Sequence, residues 1–173
     1  MTDPTPGPTT GPTTGPTTGR RAPRPRRRDY TVWRRATTRW ADDDVYGHMN
    51  NARYYELFDT AVNAHLIEAT GTDIRTLPAI GVVAETSCRY FREVGFPAPV
   101  DIGLAVERVG TSSVTYRIGL FQGDLDEASA EGRFVHVYVE NRAGSNAPGS
   151  GVGPVRPLPD QIRAAVMSLT SPA

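Results

Sequence analysis

The chain has 173 residues, enough for one ordinary domain, and 38% of them are hydrophobic. The formal net charge of zero hides an asymmetry, because all 19 basic residues are Arg and six of them lie between residues 20 and 28. From residue 29 onward 13 Arg face 18 acidic residues, so a nucleic-acid partner is not expected. The single cysteine, Cys88, excludes an internal disulfide framework and a cysteine-rich metal site.

The first 28 residues are predicted to form a disordered tail ahead of a single domain at 29–173. Residues 1–19 repeat Thr, Pro and Gly, and residues 20–28 are rich in Arg and Pro, so little apolar surface is available to offset the entropy of ordering. The Arg run is either solubilising or a salt-sensitive tether to nucleic acid or anionic surfaces. The sequence has no apolar run of membrane-spanning length, and no apolar signal-peptide core follows the Arg run. We therefore expect a cytoplasmic protein without a membrane partner.

The patterns that follow predict one long helix and five strands. A first strand is predicted over residues 30–40, and the i, i+3, i+4 rhythm after Asn51 predicts an amphipathic helix that Asn50 or Asn51 caps and Gly71 ends. Alternating and β-branched residues then predict four strands and a short helix, over 80–91, 100–109, 112–121, 128–140 and 159–169. The run 128–140 is apolar on both faces and is interpreted as a central strand covered on both sides.

This element order indicates an α+β fold in which an antiparallel sheet of about five strands wraps around one long helix. An open sheet of this size leaves exposed edge strands, and we therefore expect two copies of the chain to pair.

The candidate site is the acidic segment Asp42-Asp43-Asp44, which lies just before the long helix. Three adjacent carboxylates repel one another, and in an extended segment only one needs to point inward. Asp44 is the best candidate, since it is nearest to the glycine turn at Gly47 and to the positive end of the helix dipole. There a carboxylate can activate a nucleophile while helix-start amides stabilise an oxyanion. The alternatives are that Asp44 is only a helix cap and that His48 is only a hydrogen-bonded turn residue.

The segment from Trp40 to Tyr55 resembles the signature of hotdog-fold acyl-CoA thioesterases of the 4-hydroxybenzoyl-CoA thioesterase type. Their approximate pattern, D-x-D-x-x-G-H-x-N-N-x-x-Y, runs without a gap from Asp42 to Tyr54. The segments 89–92 and 110–113 are also similar to that family.

The resemblance implies a hotdog fold, a homodimer or homotetramer, and an active site between subunits. It also implies that Asp44 is the catalytic carboxylate, and that amides around Asn50 and Asn51 polarise the thioester carbonyl, with Gly47 and His48 in support.

The expected substrate contacts come from two tyrosines and two arginines. They are Tyr46, Tyr54, Arg89 and Arg92. The two arginines suit the phosphates of coenzyme A, although both are equally compatible with solvent-facing strand charges. No metal and no bound cofactor are expected, because coenzyme A is part of the substrate.

The leading hypothesis is hydrolysis of an acyl-CoA thioester to the free acid and coenzyme A. One alternative is a non-catalytic hotdog module that binds acyl thioesters, and another is a hotdog dehydratase or hydratase acting on 3-hydroxyacyl chains. The dehydratase relatives use a differently spaced Asp/His pair and a Pro-containing turn that this sequence lacks. The sequence leaves open whether Asp44 is nucleophile or general base, which acyl chain is preferred, and whether coenzyme A or a carrier protein bears it.

Overall fold

The computed structural model describes residues 23–142 and 153–170, and within them a five-stranded antiparallel sheet packs against one long helix. Along the sheet the strands follow the order β1-β3-β4-β5-β2. The elements in chain order are β1 Val32–Ala36, α1 Asn51–Thr70, β2 Ala79–Tyr90, β3 Val100–Val109, β4 Ser113–Gln122, β5 Ala130–Glu140 and α2 Asp160–Met167. The predicted α+β architecture is therefore confirmed.

The helix α1 begins and ends where its sequence predicts. The side chain of Asn50 accepts a hydrogen bond from the N–H of Ala52 at 2.9 Å and so caps the first turn. At the other end Gly71 takes the left-handed conformation, with φ of +63°, and its N–H bonds to the carbonyl of Ile67. Between these caps one face of the helix is buried in the main core.

The close approach of α1 to the sheet depends on Gly132 in β5. Phe58, fully buried at the middle of α1, lies directly over Gly132, and a Cβ built there would stand 2.5 Å from the Phe58 ring. Phe134, two residues along the same face of β5, meets the Phe58 ring edge to face with 6.0 Å between centroids. A side chain at position 132 would therefore push the helix off the sheet.

The two edges of the sheet are β1 and β2, and β2 is the longer. β2 pairs with β5 along its whole length, except at a bulge between Val83 and Glu85. The other edge of β2 pairs with no strand in the described part of the chain, and most of its residues from Val83 to Tyr90 are exposed. The helices of the described ranges are too short or too polar to span a membrane.

Three expectations about the fold need correction. Residues 23–28 belong to the folded domain, since the guanidinium of Arg27 reaches Asp101 at 3.0 Å. The first strand ends at Ala36, and residues 40–42 form a 3-10 turn instead. β5 is an interior strand, between β4 and β2, but it is not covered on both faces, because Val135 and Val137 on its outer face are only half-buried. The predicted tail residues 1–22 and most of the predicted loop 141–153 lie outside the described residues.

We expect Gly132→Ala to lower the free energy of unfolding by about 1–3 kcal/mol, because the added methyl group collides with the ring of Phe58 in a filled core. Urea denaturation measures the change. In a Phe58→Leu background the same substitution should cost clearly less. An equal cost in both backgrounds would show that Phe58 is not the residue that makes glycine necessary at this position.

Candidate active site

A tight turn folds the acidic segment back onto the start of α1. The N–H of Asp44 donates to the carbonyl of His48 at 2.8 Å, and the N–H of Gly47 donates to the carbonyl of Asp44 at 3.0 Å. Gly47 has φ of +80°, a conformation that other residues rarely adopt. The turn therefore places Asp44 beside the helix start, as the glycine pattern predicts.

The buried carboxylate of the segment is Asp42, with 4% of its surface exposed. It accepts hydrogen bonds from the backbone and guanidinium of Arg39 at 2.8–3.0 Å, and it pairs with Arg53 of α1 at 3.0 Å. Its carbonyl accepts the N–H of Asn50 at 2.8 Å. The expectation that Asp44 is the inward-pointing member was wrong, because this part of the segment is a 3-10 turn rather than an extended strand.

Asp43 also has a structural role. Its carboxylate accepts the N–H of Phe96 at 3.2–3.3 Å, and its backbone forms an isolated antiparallel bridge with Met49. The N–H of Met49 in turn donates to the carbonyl of Val94 at 2.8 Å. These bonds tie the acidic turn to the connection that follows β2.

Asp44 is the one member of the acidic triplet with an uncommitted carboxylate oxygen. Its Oδ1 accepts the N–H of Tyr46 at 2.8 Å, while its Oδ2 bonds to nothing within the described ranges. No cationic side chain of residues 23–142 or 153–170 pairs with it. The carboxylate is half-buried, held by the turn, and open on one oxygen.

The first turn of α1 offers one open backbone amide, that of Asn51. The N–H of Asn50 is used by Asp42, the N–H of Ala52 by the Asn50 side chain, and the N–H of Arg53 by the Asn50 carbonyl. The N–H of Asn51 has no acceptor among the residues that the structure describes. Asn50 is therefore a cap with an occupied amide, which corrects the expectation that it is a free oxyanion donor.

Asp44 and Asn51 line the same cleft, of about 420 Å³, between the start of α1 and the end of β2. Its walls combine apolar and aromatic residues with a few charged ones. The lining residues besides these two are His48, Met49, Tyr54, Tyr90, Phe91, Arg92 and Glu93. Burial raises the pKa of Tyr54 to about 12, so its hydroxyl stays protonated at neutral pH. Its ring packs edge to face on Tyr90 with centroids 5.0 Å apart.

The structure brings only some of the predicted substrate-binding residues into this cleft. His48 and Arg92 both line it. The Nε2 of His48 lies 3.1 Å from a carboxylate oxygen of Glu93. Tyr46 points into solvent with 80% of its surface exposed. Arg89 lies outside the cleft lining, and its guanidinium covers the ring of Phe91 at 5.1 Å. Neighbouring residues of a strand face opposite sides of the sheet, so Arg89 points away from the side that Tyr90 faces.

Sequence reasoning missed four residues of the cleft. They are Met49, Tyr90, Phe91 and Glu93. Tyr90 could have been found from the sequence, because successive side chains of a strand face opposite sides and Tyr90 follows Arg89 at the end of β2.

A metal site and a reactive thiol each set requirements that can be compared with the described residues. There, no three side chains of the metal-binding types lie close enough together to hold an ion. Burial raises the pKa of the Cys88 thiol to about 11, so it is protonated near neutral pH and is a poor nucleophile.

Comparison with known proteins identifies the family. A model of the thioesterase superfamily matches residues 46–129. The crystal structure of the PA5185 protein from Pseudomonas aeruginosa strain PAO1 is similar with 45% identity and a TM-score of 0.77, over 87% of this chain and 99% of that one. The chain belongs to the thioesterase superfamily.

Two further solved structures have the same fold. The PA2801 protein of Pseudomonas aeruginosa, a proposed thioesterase, is 29% identical over 79% of this chain and 98% of that one, with a TM-score of 0.65. A thioesterase of Thermus thermophilus complexed with coenzyme A and Zn is 24% identical over 82% and 95%, with a TM-score of 0.65. Among curated proteins, none matches the chain. The family match and these solved structures together confirm the resemblance to hotdog-fold thioesterases.

We expect Asp42→Asn to lower the free energy of unfolding of this superfamily member by about 1.5–3 kcal/mol, because two arginines lose a charge-assisted partner. Urea denaturation provides the measurement, with Asp124→Asn in an exposed turn as the matched control. An unchanged midpoint for Asp42→Asn would contradict the anchoring role assigned to this carboxylate.

Proposed function

We propose that the protein hydrolyses an acyl-CoA thioester, with Asp44 as the catalytic carboxylate and the Asn51 amide as the oxyanion donor. The observation that carries the proposal is that an uncommitted carboxylate oxygen and the open amide of the first helical turn line one cleft. Membership of the thioesterase superfamily supports the same chemistry.

The Asn51 N–H is suited to the negative charge that forms on the thioester oxygen in the transition state. It lies at the positive end of a 20-residue helix, where the aligned peptide dipoles favour an anion. Asp42, Arg53 and the Asn50 cap hold this first turn in place, so little reorganisation is needed during the reaction.

Asp44 can promote hydrolysis of the thioester by either of two routes. As a nucleophile, its Oδ2 attacks the acyl carbon, the C–S bond breaks to release the coenzyme A thiolate, and water then hydrolyses the mixed anhydride. As a general base, it takes a proton from a water molecule whose oxygen attacks the acyl carbon, and the thiolate leaves as the tetrahedral intermediate collapses. Both routes end with a free acid and coenzyme A.

We assign Arg92 the role of binding the nucleotide end of the substrate. Its backbone is fixed by a hydrogen bond from its N–H to the carbonyl of Ser129 at 3.0 Å, and its guanidinium has no partner among the described residues. An exposed and unpaired guanidinium at the mouth of the cleft suits a phosphate of coenzyme A.

The working unit is proposed to be a homo-oligomer in which two copies of β2 pair about a two-fold axis. The outer edge of this 12-residue strand is uncovered in the described part of the chain, and it carries no Pro or Lys that would block pairing. Antiparallel pairing about the middle of β2 sets the Tyr90 end of one strand beside the Ala79 end of the other. The cleft at Tyr90 then lies at the subunit interface.

We expect Asp44→Asn to reduce kcat/KM by at least about 100-fold, since the amide is neither a base nor an effective nucleophile. Release of free thiol is followed across coenzyme A esters of short, medium, long and aromatic acids. The melting temperature should stay near that of the wild type, because the Asp44 side chain accepts only one backbone hydrogen bond.

Asp124→Asn is the matched control and should hydrolyse at the wild-type rate. Equal rates for Asp44→Asn and the wild type would overturn the role of Asp44. If the wild type is inert on every ester yet is stabilised by acyl-CoA, the protein is a binding module rather than an enzyme.

We expect Val83→Asp to shift the mass measured by size-exclusion chromatography with light scattering to that of a single chain. Val83 lies near the middle of β2 with 43% of its surface exposed, so pairing of two β2 strands would bury a carboxylate there without a counter-charge. Val155→Asp, at an exposed valine that lies outside β2 and forms an isolated bridge with Val139 of β5, should keep the wild-type mass. An unchanged mass for Val83→Asp would exclude β2 pairing.

A further inference from the structure

Residues 23–28 form an N-terminal arm that is anchored along the connection between β4 and β5. The N–H of Arg27 donates to the carbonyl of Asp126 at 2.9 Å, and the N–H of Ala128 donates to the carbonyl of Pro25 at 2.8 Å. Pro25 is itself buried. The folded domain therefore fixes the course of the arm up to its first described residues.

The arm carries Arg24 to the edge of the candidate active site. Because the arm and the connection are antiparallel, the first residues of the arm lie toward Ser129, whose carbonyl accepts the N–H groups of Phe91 and Arg92 at 2.8 and 3.0 Å. The guanidinium of Arg24 lies over the Phe91 ring, 5.9 Å from its centroid. Phe91 lines the cleft and Arg24 does not, so Arg24 stands just outside this wall of the cleft.

The guanidinium of Arg24 is available to a ligand. The carboxylate of Glu127 lies 3.7 Å from it, which is too long for a hydrogen bond, and Arg26 shares that carboxylate at 3.8 Å. No acceptor in the described ranges takes a hydrogen bond from the Arg24 side chain, whereas Arg27 of the same arm donates to Asp101 at 3.0 Å. The Arg24 side chain is 37% exposed, so its N–H donors are open to solvent.

Arg24 is one of three arginines that surround the ring of Phe91. The guanidinium of Arg89 lies 5.1 Å from the ring centroid, and the carboxylate that it faces, Glu131, is 3.9 Å away. Arg92 lines the cleft, and its guanidinium has no partner in the described part of the chain. Like charges held this close repel one another, and an anion bound among them would relieve the repulsion.

Coenzyme A carries its phosphates at the end remote from the thioester. A cleft of about 420 Å³ takes the thioester and the groups beside it, so the nucleotide of a coenzyme A ester has to lie on the surface outside. A chain that leaves the cleft over Phe91 passes arginines on both sides of this wall. A guanidinium keeps its charge at neutral pH and can donate two parallel hydrogen bonds to a phosphate.

We infer that Arg24 is a further substrate-binding residue, which contacts a phosphate of the coenzyme A nucleotide together with Arg89 and Arg92. The inference rests on the proposed thioesterase function. It extends the substrate site onto the N-terminal arm, and it makes esters of coenzyme A better substrates than esters of pantetheine, which lacks the phosphates.

The kinetic test compares the coenzyme A ester that is hydrolysed fastest with the pantetheine ester of the same acid. Arg24→Ala should raise KM for the coenzyme A ester about tenfold, the effect expected from loss of one charge-assisted hydrogen bond, with kcat unchanged. KM for the pantetheine ester should stay at the wild-type value. Arg24→Lys keeps the charge without the paired donors and should recover part of the loss.

Arg28→Ala is the matched control, at an exposed arginine of the same arm outside the group around Phe91. Both KM values should stay at those of the wild type. An equal rise in KM for both esters of Arg24→Ala would show that the residue acts on the shape of the cleft rather than on a phosphate. An unchanged KM for the coenzyme A ester would overturn the contact outright.

A binding measurement separates this inference from the proposed function. Free coenzyme A is titrated into wild-type and Arg24→Ala protein by isothermal calorimetry, which measures the phosphate contact without any hydrolysis. A Kd about tenfold weaker for Arg24→Ala, together with a wild type that hydrolyses no ester, would overturn the proposed function alone. Equal Kd values for the two proteins, or no saturable binding to either, would overturn the role of Arg24 even if esters are hydrolysed.

Discussion

The structure depends on the burial of one face of α1 against the sheet, with Phe58 lying over Gly132. Because glycine leaves no side chain at the crossing point, the helix axis lies close to β5 and the aromatic rings fill the space on either side. The Asn50 cap fixes where the helix begins. The start of α1 then falls at the Tyr90 end of β2, and this position creates the cleft in which Asp44 and Asn51 meet.

The three consecutive aspartates show how like charges are kept apart in a small volume. The carboxylate of Asp42 pairs with two arginines, and that of Asp43 accepts a hydrogen bond from a backbone amide. The carboxylate of Asp44 has one oxygen without a hydrogen-bond partner in the described residues. The first two hold the turn and the helix start, and only the third is available to a substrate. Because all three residues are Asp, residue type does not distinguish their roles. The hydrogen-bond and ion-pair partners of each carboxylate do.

Two cavities of the protomer lie at opposite ends of its edge strand β2. One end carries a carboxylate, an open amide and an arginine, and the other carries an aliphatic cavity with the unsatisfied imidazole of His136. The proposed pairing of two β2 strands about a two-fold axis would cover the exposed strand edge that runs between the two ends.

The sequence by itself determined the element order, the caps of α1 and the candidate status of Asp44, because caps, turns and periodicity are local properties of neighbouring residues. It did not determine which aspartate is buried, which first-turn amide is open, or that Tyr90 rather than Arg89 faces the cleft. Those depend on partners far along the chain, such as Phe96 for Asp43 and Glu131 for Arg89. Only the tertiary structure decided them, since strand register and the approach of the helix to the sheet set which polar groups meet.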